Sequence, residues 1–206
     1  MLFTSLVQAN LKTRFLGQQI EYYTRLESTN SEAWELINDG CDDGTIIITD
    51  NQYSGKGRGN RTWSASSDKS LTFSIVIFPD INAKFSNWIP IISSLALQRA
   101  LSSFSTKVEL KYPNDIMIGQ KKLGGILCES KVSAKKINQA VIGIGINVNE
   151  KVEDFDLAIQ DSATSMQINS GKFYQKERVL AEILNHFETI MDEFPNNIGL
   201  IKSNWE

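Results

Sequence analysis

Apolar residues along this 206-residue chain recur with two periods, which predict strands in some places and helices in others. Runs that are β-branched or that alternate with polar residues are typical of strands. Such runs cover 21–26, 45–49, 71–78, 107–111, 116–118, 123–130 and 138–147. Residues 116–118 and 123–130 are separated by four polar or glycine residues, which predicts a hairpin.

Helical spacing of apolar residues predicts two long helices, over 88–101 and 173–194. Pro90 fits only the first turn of the earlier one. A third helix is predicted from the Thr29-x-x-Glu32 capping box up to Gly40, and a short helix is predicted around 161–168. Strands and helices alternate unevenly, with hairpins between them. This order predicts an α+β fold, a mixed or antiparallel sheet with helices packed on it.

Composition narrows the class of protein. The length fits a single domain over 1–206, and the net charge of −3 argues against a general nucleic-acid binder. No segment is long and apolar enough to span a membrane. Cys41 and Cys128 form no metal or disulfide motif, so we expect a cytoplasmic protein. The chain has one histidine, His186, so any catalysis should use Lys, Arg, Asp and Asn.

A basic, glycine-rich loop over 54–63 stands out in this acidic chain. It contains three glycines and three cations, and no acid occurs from Asn51 to Ser67. Glycines let the backbone approach a ligand closely, and arginine matches the geometry of phosphate or carboxylate. The loop is therefore predicted to close over an anionic small molecule.

Three further polar motifs lie beside predicted strands, and each is ambiguous when taken singly. They are Ser28-Thr29-Asn30, the pair of segments 111–115 and 121–125, and Gly143-x-Gly145-x-Asn147. Thr29 could have no role beyond capping a helix. Residues 114–115 and 121–122 could form ordinary turns, and the paired glycines could allow close packing of the strands. No Walker A sequence is present, and a dinucleotide fingerprint is incomplete.

Taken together and in this order, the motifs resemble those of class I biotin protein ligases. The resemblance rests on Gly-Lys-Gly-Arg-x-x-Arg-x-Trp at 55–63, Lys-Tyr-Pro-Asn-Asp at 111–115, Lys-Leu-Gly-Gly-Ile-Leu-x-Glu at 122–129 and Ile-Gly-Ile-Gly-Ile-Asn-x-Asn at 142–149. It runs from about residue 21 to the end of the chain. It implies the catalytic-domain fold of biotin and lipoate ligases, which is similar to that of class II aminoacyl-tRNA synthetases.

The resemblance also implies a two-step reaction. Biotin and ATP would give biotinyl-5′-AMP, and the biotinyl group would pass to a lysine of a biotin carboxyl carrier protein, such as that of acetyl-CoA carboxylase. The chemistry fits the composition, because the attack of a carboxylate on an α-phosphate needs cations and N–H donors more than a nucleophilic side chain. Mg²⁺ would neutralise the phosphates, and no residue is predicted to be a protein ligand of a metal.

Site residues follow from the resemblance, position by position. The expected biotin-binding residues are Ser28, Thr29, Asn30, Gln52, Lys56, Gly57, Arg58, Lys122, Gly125, Gly143 and Gly145. The expected ATP-binding residues are Arg58, Arg61, Trp63, Asn114, Lys122 and Asn147. Lys122 and Arg58 are expected to act on the reacting carboxylate and phosphate, and Asp115 to accept the proton of the carrier lysine. The three glycines are expected to leave room for the ring of biotin.

Some departures and rival functions remain open at this stage. Gly59-Asn60 stands where many family members have Arg-Gly, and Tyr112 replaces the usual Trp. Too few residues precede the first strand for a DNA-binding domain, and the usual SH3-like C-terminal domain is absent or truncated. We therefore expect no DNA and no membrane partner, while the oligomeric state, a homodimer included, stays open. A lipoate–protein ligase or octanoyltransferase and a non-catalytic biotin-binding module are the rivals.

Overall fold

The computed structural model describes residues 1–59, 61–111 and 114–194. Ten strands form, and two of them, β3 and β4, make a separate hairpin. The strands are β1 Ile20–Tyr23, β2 Ile46–Thr49, β3 Gly55–Lys56, β4 Thr62–Trp63, β5 Leu71–Ile77, β6 Ile81–Asn82, β7 Glu109–Lys111, β8 Asp115–Ile118, β9 Lys121–Ser133 and β10 Lys136–Ile146. The helices are α1 Thr4–Gln8, α2 Thr29–Asn38, α3 Trp88–Ser103, α4 Met166–Ser170 and α5 Lys176–Glu193.

The main sheet has the order β1-β2-β5-β10-β9-β8-β7, and β6 pairs with the outer part of β10. Among the strands of the described residues, β1 and β2 pair in parallel, and the other strand pairs are antiparallel. The fold is thus the mixed α+β sheet that the sequence predicts.

Side chains along the central strands point alternately to the two faces of this sheet, and each face packs against its own helices. Leu71, Phe73 and Ile75 of β5 are buried in the main core, which α3 and α5 complete on one face. On the opposite face, α2 packs over β2, β5 and β10. A smaller apolar cluster holds it there, made of Leu26, Ala33, Ile37, Ile47, Val76 and Val141. The polar and glycine positions of β5 and β10 point to this second face.

The predicted strands are confirmed within a few residues, and so are both long helices. Two local predictions are wrong. The short helix begins at Met166 rather than near 161, and the capping box does not form. Ser28 is the N-cap of α2 and makes no side-chain capping bond, while Glu32 accepts a hydrogen bond from the Tyr23 hydroxyl. The side chain that would complete a local cap bonds instead to a residue from another part of the fold.

Some predictions fall on positions outside the described residues. They concern Asn60 of the glycine-rich loop, the Tyr112-Pro113 part of the predicted turn, and the end of the chain from 195 to 206. Within the described part, no helix has the length and apolar character needed to cross a membrane.

Candidate active site

A single cavity beside the N-terminus of α2 gathers most of the residues singled out from the sequence. It encloses about 90 Å³. The predicted residues that line it are Ser28, Thr29, Asn30, Gln52, Lys56, Gly57, Arg58, Arg61, Trp63, Asn114, Lys122, Gly125, Gly143 and Gly145. Thr62, Thr72, Ile126, Leu127 and Ile144 also line it and were not predicted. Four motifs that are distant in sequence therefore share one space.

Strand register creates the floor of the cavity. Gly145 of β10 pairs with Gly125 of β9 on one side and with Thr72 of β5 on the other. Two residues earlier, Gly143 pairs with Leu127 and with Ser74. Side chains on one face of a sheet alternate with period two, so these small residues form a shallow row across three strands.

The glycines of the floor make room for side chains of the protein itself. A Cβ at Gly143 would lie 2.2 Å from Asn30 Oδ1, and one at Gly145 would lie 2.3 Å from the Trp63 indole. At Gly125 the nearest atom would be Lys122 Cε at 3.5 Å, an ordinary contact. The sequence-based reason for these glycines was room for a ligand ring. In this structure Asn30 and Trp63 occupy the space next to two of them.

One wall of the cavity is a network of buried polar side chains. Gln52 Oε1 accepts a hydrogen bond from the Thr29 backbone N–H at 2.8 Å. Ser74 Oγ lies 2.7 Å from both Thr29 Oγ1 and Asn30 Oδ1. Asn30 Nδ2 donates to Glu129 Oε2 at 2.7 Å. Thr29 is thus part of the cavity wall. Of the two alternatives that the sequence left open for Thr29, a helix cap or a site residue, the structure does not support the cap.

The glycine-rich loop folds as a tight hairpin that covers the cavity. Strands β3 and β4 pair Gly55 with Trp63, the Gly57 N–H donates to Arg61 O at 2.8 Å, and Gly59 takes a positive φ of 69°. The hairpin exposes Lys56, Arg58 and Arg61 at the mouth. None of the three forms an ion pair with an acid in the described part of the chain. Three uncommitted cations at one opening favour an anionic ligand.

Two buried polar atoms at the end of the cavity beside Gly145 have no hydrogen-bond partner among the described residues. They are Trp63 Nε1 and Thr72 Oγ1. Trp63 was predicted to serve the nucleotide, yet its indole lies on Gly145, which was predicted to line the biotin slot. Thr72 was missed, although a signal exists: Thr72 and Ser74 are polar at alternate positions of an otherwise apolar strand. Buried polar atoms without partners are uncommon and mark this end as suited to a polar ligand group.

Lys122 forms a salt bridge with Asp115, in which Nζ and Oδ1 are 2.6 Å apart. Lys122 lines the cavity, whereas Asp115, the predicted proton acceptor, is not among the lining residues and reaches it only through Lys122. The backbone of Lys122 is held on both sides by the irregular segment after β10, because its N–H donates to Ser162 O and its C=O accepts from Thr164 N–H. This fixes the backbone of Lys122 at the junction of β8, β9 and that segment.

Asn147 does not line the cavity with the other predicted nucleotide-side residues. Its side-chain Nδ2 donates to Thr164 O at 2.9 Å, and its backbone N–H donates to Leu123 O. It therefore supports the segment that clamps Lys122. Asn114 does line the cavity and is fixed to β9 through hydrogen bonds in both directions with Ile126.

Comparisons with known proteins agree with this geometry. A model of the biotin/lipoate A/B protein ligase family matches residues 22–147. The "Bifunctional ligase/repressor BirA" of Bacillus subtilis is 32% identical over 97% of the chain, and the chain spans 62% of that relative's length. The "Biotin--[acetyl-CoA-carboxylase] ligase" of Mycobacterium tuberculosis is 25% identical over 92% of the chain and 72% of the relative.

A solved structure shares the fold as well. It is the biotin protein ligase from Aquifex aeolicus in complex with biotin and ATP, with a TM-score of 0.78 and 28% identity over 92% of this chain and 77% of that one. The family model covers more than half of the residues of the chain, and the solved structure shares its fold. The chain belongs to the biotin/lipoate A/B protein ligase family.

Proposed function

We propose that this protein is an ATP-dependent biotin–protein ligase. It activates biotin as biotinyl-5′-AMP, with release of pyrophosphate, and transfers the biotinyl group to a lysine of a biotin carboxyl carrier protein. Family membership alone admits biotin or lipoate as the acyl substrate. The names of the relatives in Bacillus subtilis and Mycobacterium tuberculosis support biotin.

The observation that carries the proposal is the combination of cations and polar wall in one cavity. Arg58, Arg61 and Lys56 lie at its mouth, Lys122 lies inside it, and neutral amides and hydroxyls line the other side. Adenylation brings a carboxylate to the α-phosphate of ATP, so negative charge gathers at one point and is stabilised by cations already in place. The neutral wall suits an uncharged ring with both N–H and C=O groups.

The salt bridge between Lys122 and Asp115 links the two half-reactions. Lys122 would turn from Asp115 to the carboxylate and α-phosphate oxygens during adenylation. Asp115 would then lose its cationic partner and be free to accept the proton of the incoming carrier lysine. If so, Asp115→Asn slows transfer from preformed adenylate, whereas Glu109→Gln, at an exposed site on β7, leaves it unchanged.

Mg²⁺ would arrive with ATP in this proposal. Among the described residues, no group of three or more His, Cys, Asp or Glu side chains is placed to hold a metal ion. Mg²⁺ commonly keeps several waters and binds through substrate phosphates with few protein carboxylates, so this cavity fits such a cation without a protein cage. The cation would neutralise phosphate charge alongside Arg58 and Lys122.

The acceptor and the setting are part of the proposal. A carrier domain of acetyl-CoA carboxylase is supported by the name of the mycobacterial relative. The absence of DNA binding, the single-domain organisation and the cytoplasmic location remain predictions from the sequence. An electrophoretic shift assay on operator-like DNA tests the first of them, with no shift expected.

Biotin-dependent exchange between ATP and pyrophosphate tests the adenylation step. Removing a charge-assisted hydrogen bond costs about 1.5–3 kcal/mol, so Arg58→Ala and Lys122→Ala should each slow exchange by ~10- to ~100-fold. Lys136→Ala is the matched control, because this lysine pairs with Asp80 at the exposed far end of β10. Normal exchange in both cavity variants would refute the assignment of the site.

Replacing biotin by lipoate in the same assay separates the nearest rival. We expect exchange with biotin and little with lipoate. Preference for lipoate would make the protein a lipoate ligase, and tight biotin binding without exchange would make it a binding module.

A further inference from the structure

Glu129 of β9 lies outside the cavity lining but is connected to it by hydrogen bonds. Its carboxylate accepts from Asn30 Nδ2 at 2.7 Å. The same nitrogen has a longer contact of 3.4 Å with Leu127 O. From Asn30 the contacts continue through Ser74 to Thr29 and Gln52, three residues of the polar wall. No part of the proposed chemistry uses Glu129 directly.

The donors and acceptors along this chain of contacts determine which partner donates in each hydrogen bond. A carboxylate can only accept, so Asn30 must present its amino group to Glu129 and its carbonyl Oδ1 to Ser74. Ser74 has one hydroxyl proton and lies 2.7 Å from both Asn30 Oδ1 and Thr29 Oγ1. That proton goes to Asn30 Oδ1, which cannot donate. The contact between Ser74 and Thr29 is then a hydrogen bond only if Thr29 donates.

The hydroxyl of Thr29 is thereby directed away from the cavity. Its proton has two acceptors in the protein, Ser74 Oγ at 2.7 Å and, at the longer distance of 3.3 Å, Gln52 Oε1. The Thr29 oxygen therefore keeps a lone pair for a ligand. The Gln52 amide is itself fixed by the backbone N–H of Thr29, so its Nε2 group faces Gly55 and the hairpin. This part of the wall presents acceptors, and its natural complement is a ligand N–H.

We propose that Glu129 is a positioning residue that sets the hydrogen-bond polarity of the ligand wall through Asn30 and Ser74. The inference rests on the proposed function and adds the determinant that selects an N–H donor of the biotin ureido ring at Thr29. A donor at position 129 would reverse the chain: Asn30 would turn its Oδ1 towards residue 129, and Ser74 would donate to Thr29. The Thr29 proton would then leave Ser74, and an acceptor atom of a ligand could compete for it with Gln52 Oε1 at 3.3 Å.

Substitution of Glu129 tests the direction of the chain. Biotin is compared with two analogues, in each of which one of the two ring N–H groups is replaced by oxygen. The readout is the ratio of the dissociation constant of each analogue to that of biotin, measured by calorimetry. In the wild type, the analogue that meets Thr29 should bind roughly tenfold more weakly than biotin, because an acceptor then faces an acceptor. Glu129→Gln, which can still accept from Asn30, should keep most of this ratio.

Glu129→Lys should lower the ratio at least fivefold, since Thr29 then offers a proton. In a Ser74→Ala background the same change should leave the ratio unaltered, because the connection to Thr29 is cut. Glu153→Lys, at an exposed site, is the charge-matched control and should behave as the wild type.

A ratio unchanged by Glu129→Lys, with biotin and both analogues weakened equally or not at all, would overturn the inference while leaving the ligase proposal standing. A wild type that fails to bind biotin would overturn the proposed function, and this inference with it.

Discussion

At the scale of single residues, the site depends on glycines that admit side chains of the protein itself. The family resemblance singled out Gly143 and Gly145 as residues that leave room for the ring of biotin. It could not show which atoms of the protein approach them, since Asn30 and Trp63 are distant in sequence. It also placed Asn147 among the nucleotide contacts, which stays a prediction, and the structure adds that the amide of Asn147 donates to Thr164 O.

Alanine substitutions, measured without ligand, test whether these glycines make room for side chains of the protein or for the ring of a ligand. Gly143→Ala should lower the free energy of unfolding by about 1–3 kcal/mol, because its Cβ would overlap the Asn30 amide in a packed interior. Gly125→Ala should change it by less than about 1 kcal/mol, since its Cβ would make ordinary contacts with the flexible end of Lys122 and with Asn114 O. Urea denaturation without biotin measures both. Equal stabilities would mean that only a bound ligand needs the space at Gly143.

At the scale of secondary-structure elements, the sequence predicted the sheet well and the connections poorly. Strands β2, β5 and β10 follow from β-branched runs, which are local signals. The segment between β10 and α5 has no comparable pattern, yet its backbone clamps Lys122 at both N–H and C=O. Such clamps arise from tertiary contacts between backbone groups, so no side-chain pattern announces them.

The hairpin over the cavity should respond to ligand. Its two strands contain two residues each, its turn includes Gly59 at positive φ, and its cations are exposed. Few contacts hold it closed in the empty protein, and an anion bridging Arg58 and Arg61 would add more. Trypsin cleavage after Lys56, Arg58 and Arg61 should therefore slow when biotin and ATP are added together. Cleavage after Lys135, in the turn between β9 and β10, is the internal control. Equal cleavage with and without ligand would contradict a closing hairpin.

At the scale of the whole molecule, a group of buried charges lies between the sheet and α5. Glu150 is fully buried, its Oε1 accepts from the Ser70 hydroxyl, and its Oε2 has no partner among the described residues. Lys176 is nearby, with Nζ 3.4 Å from Ser70 O and 3.5 Å from Asp50 Oδ1. Burial raises the pKa of Glu150 to about 7.

This raised pKa predicts a pH-dependent stability. The folded protein holds the Glu150 proton up to about pH 7, whereas the unfolded chain releases it near pH 4.5, the ordinary pKa of a glutamate. The folded state thus binds more protons between these values, so the free energy of unfolding falls as pH rises through this window. At about 1.4 kcal/mol per pKa unit, the loss is on the order of 3–4 kcal/mol.

Glu150→Gln should remove this loss. Urea denaturation at pH 5, 6, 7 and 8 should show a smaller decline for the variant than for the wild type, and the difference should be greatest at pH 8. Parallel curves would mean that Glu150 does not titrate as its burial indicates.

The central claim is that this cavity joins biotin to a carrier protein. Its most direct test is to incubate the protein with ATP, Mg²⁺, biotin and a biotin carboxyl carrier domain, and to measure the intact mass of the carrier. We expect the mass of one biotinyl group to be added at one lysine, and no addition when ATP or biotin is omitted. With Lys122→Ala the addition should be slower by ~10- to ~100-fold. A carrier of unchanged mass, from wild-type protein that binds biotin and ATP, would contradict the claim.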